Sequence, residues 1–157
     1  MLCLLFQIGN ERYALEAKHA VEVIPFLQLR RVAQAPRGVA GIFNYRGRPV
    51  VAVDLRELTL GQPARERLST RIILVRYTSA DDREQLVGLI AEHATEMMRR
   101  DERDFVDSGI RAGSAPYLGP VIMDEKGVIQ LVRAQFLLAE NLRDLLFAAQ
   151  ESSHDAH

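Results

Sequence analysis

The run Ala35–Gly61, APRGVAGIFNYRGRPVVAVDLRELTLG, limits the possible folds of this chain more than any other stretch. Two apolar segments suited to burial, Val39 to Tyr45 and Val50 to Leu55, are joined across Arg46-Gly47-Arg48-Pro49. Glycine lets the backbone turn tightly, so the pattern predicts a hairpin whose charged tip stands between buried strands. A tip of this kind suits recognition. The run supplies no nucleophile, no general base and no set of metal ligands.

Composition narrows the class further. The 157 residues are enough for one ordinary domain or two small ones sharing a core, and 48% apolar residues are normal for a packed protein. A formal net charge of −1 argues against a general nucleic-acid or membrane-surface binder, which needs a basic excess. The single cysteine, Cys3, has no partner for an internal disulfide and reads as a small apolar residue of the first strand. The start MLCLLFQIGNERY lacks a basic n-region, and its apolar stretch ends at Gln7, so neither a signal peptide nor a membrane span is expected. A cytoplasmic location is the expectation that follows.

Met1 to Ile8, closed by Gly9-Asn10 and followed by Arg12 to Leu15, reads as a hairpin. Val21 to Ile24 alternates around Glu22 and stops at Pro25, which suits a strand end. With the two strands of the opening run this makes about five strands, and Leu55 to Leu60 is expected to close the set with a helical turn. The polar stretch Gly61 to Thr70 reads as a boundary. A second set follows: Arg71 to Tyr77, a polar tip at Ser79 to Glu84, then Leu86 to Ile90. Ala94 to Met98 is compatible with strand or helix. Arg99 to Pro116 reads as a long loop, and Leu118 to Met123 and Val128 to Val132 flank a turn at Asp124 to Gly127. Ala134, Leu138, Leu142, Leu145, Leu146 and Ala149 share one face of a C-terminal helix, and Ser152 to His157 reads as a frayed tail. The similar strand spacing suggests two small barrels of like build: 1–60, then 70–133, with the helix at 134–150.

No catalytic site, metal site or cofactor is expected. His19, His93, His154 and His157 show no ligand spacing, and the phosphate-cradling and hydrolytic motifs are missing. Asp81-Asp82, Asp101-Glu102 and Arg99-Arg100 read as solvated loop charge. Arg46 differs, since it ends an almost wholly apolar strand where its stem can pack while its guanidinium meets a partner. Glu22, alone between Val21 and Val23, either accepts a bidentate pair from Arg46 or faces solvent separately.

The order Val21-Glu22-Val23-Ile24, then Ala35-Pro36, then Val39-x-Gly41-Ile42-x-Asn44-x-Arg46-Gly47-x-Pro49-Val50-x-x-Val53-Asp54-Leu55, then Thr70-Arg71-Ile72-Ile73 and Gly88-Leu89 resembles the CheW-like domain. Weaker similarity runs on through Val132. The resemblance implies a mainly β fold of two intertwined five-stranded SH3-like barrels with a C-terminal α-helix. It further implies a non-catalytic adaptor linking the cytoplasmic tip of a chemoreceptor (a methyl-accepting protein) to the regulatory domain of a CheA-type histidine kinase, recruited to membrane-bound receptor arrays.

In such a protein the receptor's helical hairpin is expected in an apolar groove between the barrels. The groove positions implied by the resemblance are Val21, Val23, Val39, Ile42, Ile90, Ala94 and Met97, with Glu22, Asn44 and Arg46 as polar positions; plain barrel core is the competing reading for each apolar one. Three departures stand out. Ala91-Glu92 replaces the family's usual Val-Asp, Ala94 and Met97 replace valines, and Arg133 replaces an aspartate before the last helix. They suggest a smaller, softer groove wall and a chemosensory pathway other than ordinary flagellar chemotaxis. The alternative is a stand-alone regulatory module that binds a small ligand between the barrels.

Overall fold

The computed structural model describes residues 1–78, 83–107 and 118–137. Among them run nine strands: β1 Leu2–Ile8, β2 Glu11–Glu16, β3 Ala20–Pro25, β4 Val39–Tyr45, β5 Arg48–Asp54, β6 Arg71–Thr78, β7 Glu84–Arg99, β8 Leu118–Asp124 and β9 Gly127–Val132. Helix α1, Leu55–Leu60, follows β5, and α2, Ala134–Leu137, follows β9. The fold is mainly β. Ala94 to Met98 is strand, the second half of the 16-residue β7. Of the expected C-terminal helix, 138–150 lies outside the described residues, as do 79–82 of the polar tip and 108–116 of the long loop.

The strands form two five-stranded units that exchange hairpins. In the first, the order is β3-β6-β7-β5-β4, with β5 and β7 parallel. In the second it is β7-β1-β2-β9-β8, with β2 and β9 parallel. The boundary expected near residue 60 therefore does not separate the barrels. Strands β1 and β2 leave the first half to join the second barrel, while β6 and the start of β7 join the first. Local hydrophobic pattern shows that a strand exists but says little about which distant strand it pairs with.

The two units correspond residue by residue. Leu74 pairs with Gly88 in one hairpin as Leu5 pairs with Ala14 in the other, and Gly88 lies beside Ala52 as Ala14 lies beside Leu131. Each barrel closes at one backbone bridge just past a strand: Arg30 with Ile42 in the first, Val106 with Val121 in the second. The first closure explains Gly41. A side chain there would place its Cβ 2.6 Å from the Arg30 carbonyl oxygen, inside any permissible contact.

Burial follows this exchange. One cluster spans both units, with Phe6, Leu15, Val53, Ile73, Leu89 and Ala94 among its members, and binds the barrels to each other. Phe43, Val50, Ala52, Ile72, Leu74 and Ile90 fill the first barrel, and Cys3, Ala14, Ile122, Ile129 and Leu131 the second. Gly88 makes room for this packing, since a Cβ would lie 2.8 Å from Ile72 and 2.9 Å from the Phe43 ring. Helix α1 starts at Asp54, whose carboxylate accepts from the backbone N–H groups of Arg56 and Glu57, and ends at Gly61 in the left-handed conformation. Arg133 holds the matching place before α2, where its side chain offers no acceptor.

Gly41→Ala should cost about 1–3 kcal/mol, as overpacking against fixed backbone does. Urea denaturation would show it as a lower midpoint; an unchanged midpoint would mean that the closure between Arg30 and β4 is not tight.

Candidate functional site

The hairpin tip is a two-residue turn between the partners Tyr45 and Arg48. Arg46 and Gly47 both have positive φ, 49° and 83°, the signature of a type I′ turn that matches strand twist. Asn44 secures it, its Oδ1 accepting from the Gly47 backbone N–H at 2.8 Å. Asn44 is therefore occupied within the turn and helps hold Arg46 in the left-handed region, which is uncommon for a side-chain-bearing residue.

The Arg30–Ile42 bridge draws the segment after β3 against β4, and the Glu22 side chain of β3 reaches the tip. The Tyr45 hydroxyl donates to the Glu22 carboxylate. Arg46 Nη2 reaches the same Oε2 at 3.5 Å, and the Arg46 guanidinium carbon lies 5.2 Å from the centre of the Tyr45 ring. The pair between Arg46 and Glu22 is thus a single long contact and not bidentate; the phenol takes the nearer place. The bond to Glu22 raises the Tyr45 pKa, with burial adding to it. The Arg46 side chain is 76% exposed, and an exposed ion pair of this length contributes little to stability. Its guanidinium is poised over the tyrosine and remains open to a partner.

Tyr45 was not singled out from sequence. Its signal was there: it follows Phe43 by two positions, so it shares the buried face, yet it stands at the tip where its hydroxyl needs a partner.

The apolar candidates divide by location. Val23, Val39 and Ile42 are partly buried against the cluster shared by both barrels, and Ala94 is a buried member of it. Val21 and Ile90 belong with the filling of the first barrel, Val21 partly buried and Ile90 fully. Met97 is exposed, since Met98 takes the inward place on β7. A groove with a volume of about 820 Å³ opens beside the first barrel, lined by Phe26, Leu29, Val39 and Ile90 with Glu57 and Glu66 among its polar groups.

Glu92 is not a softened groove wall. It is 2% exposed, and its carboxylate faces Arg56 Nε at 3.4 Å and Arg65 Nε at 3.2 Å. Arg56 also donates to the Pro63 carbonyl and the Gln62 side chain, and Asp54 accepts from the Ala64 N–H. Burial pushes the Asp54 carboxyl above its usual range, opposed by the three backbone N–H bonds it accepts. The network fastens the connection 61–70 to β7. On the second barrel, Arg12 holds Asp124 in a two-point pair of 2.7 and 2.8 Å, which keeps that carboxyl well below its usual range.

No group of three or more His, Cys, Asp or Glu side chains among the described residues is arranged to hold a metal ion. No described helix is long and apolar enough to cross a membrane. Two interwoven five-stranded barrels with a braced polar tip define the class of fold. The chain belongs to the CheW-like domain family, whose model matches residues 2–141.

It is 31% identical over 100 residues to the chemotaxis protein CheW of Helicobacter pylori, covering 63% of this chain and 57% of that protein. It is 25% identical over 95 residues to the CheW of Klebsiella aerogenes, covering 60% of this chain and 54% of that one. The chain thus spans a little over half the length of these two relatives in the matched regions. The crystal structure of the scaffolding protein TtCheW from Thermoanaerobacter tengcongensis superposes with a TM-score of 0.77 at 21% identity, covering 90% of this chain and 89% of that one, a likeness of fold.

The geometry ranks the pairs at the tip. A double-mutant cycle on Tyr45→Phe and Glu22→Gln should show clear coupling in thermal stability, and one on Arg46→Ala and Glu22→Gln close to none. The reverse order would mean that Arg46 is committed to Glu22.

Proposed function

We propose that this chain is a non-catalytic adaptor coupling the cytoplasmic tip of a chemoreceptor to the regulatory domain of a CheA-type histidine kinase. Membership of the CheW-like family and the chemotaxis relatives support the reading. The observation that carries it is the Glu22–Tyr45–Arg46 tip. A cation with little internal commitment is held on a rigid turn that ends β4, the strand of Ile42, and is braced by Glu22, which Val23 follows on β3.

A helical hairpin presents an apolar ridge with polar flanks. Such a ridge is recognised by an aliphatic surface that sets affinity and a charged group that sets register. In this reading Val21, Val23, Val39, Ile42, Ile90, Ala94 and Met97 shape the receptor-facing surface from within or at its edge, and Glu22, Asn44 and Arg46 hold the polar tip. The protein works in the cytoplasm, at the inner face of membrane-bound receptor arrays.

Arg46→Glu should leave folding intact, because the side chain lies in solvent, and should weaken receptor binding at least about tenfold by placing like charge at the contact. Co-sedimentation with receptor-bearing membranes checks this. Wild-type recovery of the variant would contradict the assignment of Arg46.

A further inference from the structure

The parallel pair β2–β9 ends in a corner that the adaptor reading does not use. Ala14 lies beside Leu131, so two residues further along both chains Glu16 and Arg133 stand side by side on one face. Opposite charges so placed ordinarily meet, yet among the described residues Glu16 stands beside Lys18 and His19 instead. Its Oε2 atom is buried, and the two nitrogens near it, Lys18 Nζ at 3.1 Å and His19 Nε2 at 3.7 Å, are both outside hydrogen-bond geometry. A buried carboxylate oxygen without a donor is costly and is usually met by a water or a ligand. The Arg133 side chain is laid across Gly119, where a Cβ would come within 3.1 Å of its Nε, and no acceptor among the described residues takes its guanidinium.

The corresponding corner of the first barrel is closed differently. There Asp54 and Ile90 hold the places of Arg133 and Glu16, and the Asp54 carboxylate is satisfied by the backbone N–H groups of Arg56, Glu57 and Ala64. The second barrel has two opposed charges at this corner and a cavity of about 220 Å³ that touches both. His19, Glu102, Phe105 and Leu131 also line it, and none of the side chains assigned to the receptor-facing surface does.

We propose that this cavity binds a free α-amino acid with an apolar side chain. The ammonium group of the ligand donates to Glu16 Oε2, its carboxylate accepts from Arg133, and its side chain lies against Phe105 and Leu131. Ligands of one charge fit less well. A simple cation would meet like charge at Arg133 and a simple anion at Glu16 and Glu102, whereas an amino acid at neutral pH carries both signs. The cavity is smaller than the sites of drug-sized ligands, which suits a metabolite of this size. A bound amino acid would tie the passage from β2 to β3, at His19, to the residue before α2. The site adds to the adaptor reading without resting on it.

The test titrates the full chain, by calorimetry and by amide chemical shifts, with L-alanine, L-valine, L-leucine, L-isoleucine and L-methionine. It is then repeated with the amine and the carboxylic acid derived from the tightest of them, each lacking one charged group. At least one amino acid should saturate below about 10 mM and shift the amides of Glu16, His19 and Phe105. The amine and the acid should each bind at least about tenfold more weakly, and Arg133→Gln and Glu16→Gln should each lose the same factor, as removal of a charged hydrogen bond does. Arg133 is exposed, so its variant should keep the wild-type melting temperature, and the carboxylate contact stays readable if Glu16→Gln disturbs the β2–β3 passage. No saturation by any of these amino acids overturns the proposal, as does equal affinity for the amine or the acid, or wild-type affinity in Arg133→Gln.

Discussion

Strand β7 is the constraint on which the rest of the molecule depends. Its first half pairs with β6 on one side and β5 on the other inside the first barrel, and its second half pairs with β1 inside the second. A single strand serves both sheets only if it bends between them. His93 marks that bend, with φ of 52°, a conformation that histidine tolerates better than most residues with a side chain. The corresponding passage in the other half, from β2 to β3, is made by a short 3₁₀ turn over Ala17–His19. Both crossings carry a histidine where the chain leaves one barrel for the other.

Shared strands and a shared apolar cluster make relative motion of the barrels costly, because any hinge would open ladder bonds and expose Leu15, Ile73 and Leu89 together. That rigidity is useful to an adaptor. The tip at Arg46 and the connection 61–70 are fixed to the same frame, the first through β4 and β5 and the second through Glu92 of β7. In the proposed role, partners bound at separate places on this frame are held at a set spacing.

Much of this was readable from residue order where the cause is local. The Arg46-Gly47 turn, the stop at Pro25 and the strands β4 and β5 follow from turn chemistry and alternation. The CheW-like resemblance supplied the intertwining that periodicity could not. What stayed hidden was set by distant pairing. Ala94 to Met98 was ambiguous because its neighbour on the ladder is β1, some ninety positions away. Glu92 looked like a change in a groove wall because its partners, Arg56 and Arg65, come from a helix and a loop whose path sequence alone does not trace. The role of Tyr45 is set the same way, since its acceptor Glu22 comes from another strand. The exchange of hairpins placed the true division between barrels within β7 and at the β2–β3 passage, not at the polar stretch 61–70.

The central claim is that interweaving through β7 makes the two barrels one cooperative unit. Native-state hydrogen exchange across a denaturant series tests it most directly. The amides of Leu74 and Leu89 in the first barrel and of Leu4 and Leu15 in the second should merge into one opening reaction, with the same free energy and the same denaturant dependence. Two separate isotherms, with the second barrel opening while the first stays protected, would contradict it.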